Sequence, residues 1–367
     1  MLWRRRQFVQ TALLSATAGA ANSPLRAASN KLGIPGPYRG RVVAARHPGC
    51  IVSGVYQAQP IEQMMRKGLM ELTGVPGWAD AWRVLFEPGD VVGIKVSPVG
   101  GPKLCSDSLV LHQIIDGLKQ AGVRPRDIIV FSRYRREILS CGIEKWLPPD
   151  VRLGWAAEAY DDVQIGMDGY DPDHYLDIAL CKPGQNIDDE LIRRSHVAEI
   201  VTKQINKLVN LPVLKHHQTA GVTIALKNIS CGLVNNVSRI HSTNTLNAAG
   251  TFIPAVVNLK PIRQKAVLHI VDGVKALYHG GPGGKPKYVW EHRTMYFGSD
   301  PVALDRIGLR VIDEKRVQMG MAAVAVSKPD EDSHRLNCQV EHIEIAGAIG
   351  LGEFDDSKID LLKFELS

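Results

Sequence analysis

Apolar residues along the chain fall into short unbroken runs that alternate with stretches of helical spacing. Arg41-Val42-Val43-Ala44-Ala45 reads as a first strand. From Gln59 to Thr73, Ile61, Met64, Met65, Leu69 and Leu72 recur at helical intervals, the pattern of a helix with one buried face. Glu87-Pro88-Gly89-Asp90 is a turn, and Val91-Val92-Gly93-Ile94-Lys95-Val96 follows as an unbroken run. Such runs mark strands covered on both faces, as in parallel sheets. Asp107 to Ala121 returns to helical spacing, and Gly122 offers a C-cap. Asp127-Ile128-Ile129-Val130-Phe131 is the next strand. Strand, helix and strand make a βαβ unit. The pattern therefore predicts an α/β fold with a mostly parallel sheet, flanking helices and two lobes around a cleft.

Residues 145–190 are rich in Asp, Gly, Pro and Tyr and read as an insertion or a lid. Order resumes at 197–201. Residues 207–213 read as a strand ending in a loop, 219–233 as a small-residue segment, and 266–272 as another buried strand. Asp300-Pro301-Val302-Ala303-Leu304-Asp305 opens a helix, with Asp300 at its N-cap. The expected organisation is a leader over 1–28, a linker with the first strand and helix over 29–84, a main domain over 85–325, and an extension over 326–367.

The 367 residues, 45% hydrophobic and 22% charged, suit a chain that buries a sizeable core. A net charge of +6, partly in the first six residues, and 6% aromatics do not suggest nucleic acid as a partner. The chain opens Met1-Leu2-Trp3-Arg4-Arg5-Arg6-Gln7-Phe8-Val9, then runs through a weakly apolar stretch to Ala18-Gly19-Ala20 or Ala27-Ala28, both suited to cleavage. Arg5-Arg6-Gln7-Phe8-Val9 resembles a twin-arginine signal, which implies the twin-arginine translocase as a partner and a periplasmic or otherwise exported protein. No transmembrane segment is expected in the mature chain. The six cysteines are at least 36 residues apart, so a ferredoxin-type or CxxC cluster is not expected. Some could pair in an oxidising compartment, and buried free thiols are the alternative.

The densest polar cluster runs from Lys215-His216-His217 to Lys227-Asn228, directly after an apolar strand. Ligands in α/β sheets sit beyond the carboxyl ends of strands. There His216 and His217 can supply a metal ligand or an acid/base, and His241 can join them. Lys227 can anchor a cofactor or hold an anion, with Asn228 beside it. Lys95, at the end of its strand, offers a second cation. Asp272, ending the strand 266–271, is either a ligand contact or a turn cap. Gly280, Gly281 and Gly283 form a glycine-rich loop whose amides could approach an anion, with a flexible hairpin tip as the alternative. The run Arg133-Tyr134-Arg135-Arg136 reads as a solvated face.

Taken together, Gly89–Lys95, Leu208–Asn228, Ile270–Gly273, Gly280-Gly281-Pro282 and Ser299–Asp305 resemble the family catalogued as domain of unknown function 362. That family often carries a ferredoxin-like cluster, for which this chain lacks the cysteine spacing. His217-Gln218-Thr219-Ala220-Gly221-Val222-Thr223 with Lys227 is also similar to a motif of nickel-dependent lactate racemase. Thr223 stands where that motif has Ser, and no Gly-Gly-Arg precedes the lysine. The resemblance implies His217 as a proton or hydride relay, Lys227 as the anchor of a nickel pincer nucleotide, and His241 as a nickel ligand. The expected function is an exported enzyme that binds a small anion or a metal or organic cofactor, nickel or iron included. Its chemistry would be proton or hydride transfer at a 2-hydroxy acid. A periplasmic carrier of a metal or small anion is the alternative.

Overall fold

The computed structural model describes residues 32–161, 164–241, 248–334 and 340–367. The leader and Cys338 lie outside the described residues. The strands are β1 (Arg41–Arg46), β2 (Ile51–Val52), β3 (Val55–Tyr56), β4 (Val92–Val96), β5 (Ile128–Tyr134), β6 (Arg152–Ala157), β7 (Tyr170–Asp177), β8 (Arg194–Ala198), β9 (Lys207–Leu211), β10 (Val213–His217), β11 (Gly221–Thr223), β12 (Ala266–Leu277), β13 (Val289–Gly298) and β14 (Asp360–Glu365).

Ten of these form one sheet in the order β14-β1-β13-β12-β9-β4-β5-β6, with β10 and β11 branching from β12. Pairing from β12 through β9, β4 and β5 to β6 is parallel throughout, and β13 runs antiparallel to both β12 and β1. The α/β class with a mostly parallel sheet and flanking helices is thus observed. The two halves of the chain share this one sheet, and the cleft opens at its carboxyl edge.

Alternation along each strand feeds two cores. Val43 and Ala45 of β1 face one, with Ile61, Met64, Leu69, Trp82 and Ile114 from the helices Ala58–Thr73, Trp78–Arg83 and Ser108–Gln120. Val42 and Ala44 face the other, with Phe252, Val256, Leu304 and Ile307 from the helices Ala248–Val257 and Pro301–Gln318. Each fully buried aliphatic or aromatic side chain contributes about 1.5–3 kcal/mol. No described helix is long and apolar enough to cross a membrane.

Three expectations differ from the structure. Residues 326–367 are not appended to the fold: β14 pairs in parallel with β1 and forms a sheet edge. Residues 145–190 are not one insertion: β6 continues the main sheet from β5, while β7 pairs with β8 beside it. The half-polar sequences of β7 and β14 hide them from a search for apolar runs. The cluster that begins at Lys215 is a β-hairpin, β10 with β11, rather than a loop. Pro212, which has no N–H, ends β9; β10 then stays paired with β12, as β9 is, and leaves β4.

Candidate functional site: a cationic cleft at the carboxyl edge of the sheet

A cavity of about 200 Å³ opens where β4, β5 and β10 end. Lys95, Arg133, Lys215 and Lys227 line it, with His217, His241 and Asn228. Among the described residues, Glu137 is the one carboxylate in its wall. Four cationic side chains therefore face one acid.

Lys95 is 2% exposed. Its Nζ donates to Val96 O at 2.7 Å and to Asn228 Oδ1 at 3.2 Å. Asn228 Nδ2 donates to Asn210 Oδ1 at 2.7 Å, and Asn210 Nδ2 donates to Ala225 O at 3.0 Å. This chain of amides fixes the Lys95 head group in the cavity wall. Gly232 makes room for it: a Cβ there would lie 2.5 Å from Lys95 Cε. Burial lowers the Lys95 amine to about 7, with Arg133, Lys215 and Lys227 adding to the effect and Glu137 opposing it. Burial likewise brings Lys215 down to about 8. Lys215 Nζ is bonded to Val99 O, in the loop that follows β4. Arg133 Nη1 is buried without a hydrogen-bond partner, and its guanidinium lies 4.3 Å from the Tyr134 ring centroid. A buried guanidinium N–H without an acceptor is costly unless a ligand supplies one.

His217 Nδ1 accepts two backbone N–H groups, from Thr219 and Ala220, each at 3.1 Å. A backbone N–H only donates, so Nδ1 carries the lone pair and Nε2 the proton. Burial, then Lys227 and His241, hold the ring well below its ordinary pKa and so neutral. The hairpin turn thereby presets His217 as an N–H donor. The His241 ring centroid is 5.6 Å away.

Lys227 and Asn228 lie on the short helix Ala225–Asn228. Asp305 fixes that helix, accepting from Ala225 N at 2.7 Å and Leu226 N at 3.3 Å. Asp305 is thus a positioning residue behind the cleft.

Other expected site residues lie elsewhere. His216 points to the opposite side of β10 from Lys215 and His217, because strand side chains alternate. Its ring faces His279 at 5.3 Å, and its Nδ1 accepts from Gly281 N at 3.3 Å. Gly281 N–H is therefore already engaged. The glycine there serves contact, since a Cβ would lie 1.7 Å from His216 O. Gly280 and Gly283 do not line the cleft, whereas Pro282 of the same loop does. Asp272 accepts from Tyr56 Oη at 3.0 Å, Val274 N at 3.2 Å and Asp107 N at 3.3 Å, tying three segments together. Burial, then Asp107, raises its carboxyl to about 7.

The donor set does not suit a metal ion. His216, His217 and His241 do not converge, and among the described residues no three His, Cys, Asp or Glu side chains do. The two imidazoles that share the cleft stand among lysines, which repel a dication.

Arg133 and Glu137 are the participants that sequence reasoning missed. Arg133 follows the apolar run of β5 just as Lys95 ends that of β4, so the strand-end criterion could have found it. The basic residues after it obscured that position.

The fold is thus an α/β one, with a mostly parallel sheet and a cation-lined cleft at its carboxyl edge. Residues 92–310 match the family model described as domain of unknown function (DUF362), and the chain belongs to that family. No curated protein matches. A crystal structure of a Thermotoga maritima protein is similar at 11% identity and a TM-score of 0.35, over 73% of this chain. The similarity spans 60% of that longer protein.

Proposed function

We propose that the cleft binds a small carboxylate, such as a 2-hydroxy acid, and moves a proton at the carbon beside it. The observation that supports this is the convergence of Lys95, Lys215, Lys227, Arg133 and the His217 N–H on one cavity with a single acid. Arg133, whose buried Nη1 lacks a partner, Lys215 and Lys227 hold the carboxylate. Lys95, brought to about 7 by burial, is populated as free amine at neutral pH and can take the proton from carbon. His217 donates its Nε2–H to the oxygen on which charge develops. Return of the proton from the Lys95 ammonium to carbon restores both groups. On this reading Asn228 and Asp305 position, while Lys95 and His217 act.

The N-terminal Arg5-Arg6-Gln7-Phe8-Val9 pattern supports a further part of the proposal, export by the twin-arginine route. A fusion of residues 1–28 to a reporter that is active only after export tests it, with Arg5→Lys and Arg6→Lys together expected to abolish the signal.

The function is tested by following hydrogen–deuterium exchange at the α-carbon of 2-hydroxy acids in deuterated water by NMR, alongside calorimetric titration of the same acids and inorganic phosphate. Binding with exchange that Lys95→Met removes is expected. Binding without exchange in any acid would leave a carrier. No binding of any anion would refute the reading of the cleft.

A further inference from the structure

A second cavity, of about 400 Å³, lies beyond the carboxyl ends of β5 and β6, beside the cationic cleft. Two tyrosines join them: Tyr134 lines this cavity and Tyr160 the cleft, with ring centroids 6.1 Å apart, edge to face. Its charge is opposite to the cleft's. Glu158, Asp161 and Asp168 line it, and among the described residues no lysine, arginine or histidine does. These carboxylates are exposed at the rim. Much of the remaining wall is aromatic, from Tyr134, Trp155 and Tyr170, and both tyrosines are buried.

Gln164 is the residue that points to a ligand. It lines the cavity and is 4% exposed, yet its Oε1 is buried with no hydrogen-bond partner among the described residues. A buried acceptor in that state costs about 1–3 kcal/mol unless a donor reaches it. The backbone of Gln164 is held on both sides. Its N–H donates to Asp161 Oδ1, and its carbonyl accepts from Asn236 N at 2.7 Å. The loop is fastened further on as well. Asn235 Nδ2 donates to Gly166 O at 3.0 Å, and Gly169 O accepts from Glu199 N at 2.9 Å. Gly169, at φ +74°, lets the loop touch β6, since a Cβ there would lie 2.0 Å from Ala156 O. The cavity is therefore preformed, as ligand sites usually are.

We propose that this cavity binds an organic ammonium ion, a primary amine in its protonated form. The ammonium N–H supplies the donor that Gln164 Oε1 lacks, in a charge-assisted bond. The carboxylates supply the opposite charge, and the aromatic wall takes the cation and its alkyl body. A cation of the chain itself already sits in this way nearby. The Arg135 guanidinium lies 5.1 Å from the Trp155 ring centroid, with Nη1 3.4 Å from Glu158 Oε2. A neutral hydroxyl would satisfy Gln164 and gain nothing from the acids. A metal ion would need carboxylates that converge, and among the described residues no three are so grouped. The inference rests on this cavity alone, so failure of the anion reading of the cleft would leave it standing.

The test titrates the full chain with putrescine by calorimetry at pH 7 and low ionic strength, with butane-1,4-diol as the neutral molecule of similar length. Saturable binding of putrescine is expected, weakening as sodium chloride is raised, with no binding of the diol. Gln164→Leu removes the acceptor at similar size, and it is expected to weaken putrescine binding at least tenfold while circular dichroism stays native. Asp168→Asn, at an exposed carboxylate, is expected to weaken it about two- to fivefold. No binding of putrescine, or equal binding of the diol, would overturn the proposal. So would putrescine binding that Gln164→Leu leaves unchanged in a folded chain. Should the leucine variant fail to fold, unchanged binding in Asp168→Asn would overturn it instead.

Discussion

Replacing Lys95 by methionine tests the electrostatics of the cleft without reference to any substrate. Lys95 is 2% exposed, and burial takes its amine from 10.5 to about 7. In the unfolded chain the amine is protonated at neutral pH. Folding at pH 7 therefore costs up to about 4 kcal/mol at this one residue, at roughly 1.4 kcal/mol per pKa unit. Methionine has a similar length and no charge, so it removes this penalty. It also leaves Val96 O and Asn228 Oδ1 without their Lys95 donor, opposing losses of about 1–3 kcal/mol each. The gain and the losses at pH 7 are therefore of similar size, and the pH slope is the decisive reading. The pH dependence carries a sign as well. Between pH 7 and 10.5 the unfolded chain binds more protons at this residue than the folded one, so wild-type stability rises with pH across that window. Below pH 7 both states are protonated there and the contribution is flat. The variant should lose the Lys95 part of the slope and keep the Lys215 part, which begins near pH 8. Urea unfolding at pH 7 and pH 9.5, without added anions, reads both quantities. A variant less stable than wild type at pH 7, with the wild-type slope intact, would show that the amine is not desolvated and refute the reasoning.

Phosphate affinity of the wild type should fall between pH 7 and pH 9 as Lys95 deprotonates, by about fifty-fold if the complex requires its ammonium form; calorimetry across that range measures it. Gly232→Ala puts a Cβ 2.4 Å from Asn228 O and 2.5 Å from Lys95 Cε, so it should displace both the end of the helix Ala225–Asn228 and the Lys95 head group and weaken anion binding at least tenfold, read by calorimetry. Asp305→Ala removes the cap on Ala225–Asn228 and should destabilise the chain by about 0.5–2 kcal/mol, with a rise in the dissociation constant for phosphate as Lys227 loosens. His217→Ala should lower α-carbon exchange by about 10²–10⁴-fold, with anion binding reduced far less. Prolonged chelation should leave phosphate binding unchanged, because lysine and arginine rather than a metal hold the anion.

Much of the fold could be read from the chain because its central strands are apolar on both faces. The runs at Val91–Val96, Asp127–Phe131 and Ala266–Asp272 coincide with β4, β5 and the first part of β12. β14 escaped because edge strands tolerate polar residues, and Asp360-Leu361-Leu362-Lys363-Phe364-Glu365 does not present an apolar run; β6, Arg152–Ala157, was hidden by the Asp-, Gly- and Pro-rich sequence around it. Within the site, Lys95, His217, Lys227, Asn228 and His241 share one cavity, and strand-end position was the cue that mattered. His216 shows the limit of clustering by sequence. Its neighbours Lys215 and His217 face the cavity, so the pleat turns it away. Gly281 and Asp272 carry motif-like chemistry, yet hydrogen bonds to their own fold use it up. The tautomer of His217 was beyond sequence, because it depends on two amides presented by a turn.

The pairing of β1 with β14 sets a condition on how this protein is made. Arg46 and Glu365, at the far end of that pair, are 319 positions apart, joined by a hydrogen bond of 2.8 Å. A chain emerging from the ribosome exposes β1 early and must wait for almost all of the remaining sequence before one side of that strand is covered. Closing so large a loop is an entropic burden that short-range contacts do not carry, and it predicts slow folding. Until then β1 is an open template for a foreign strand. Synthesis of this protein thus includes an interval in which a chaperone, or a second nascent chain, competes for the place that β14 finally takes.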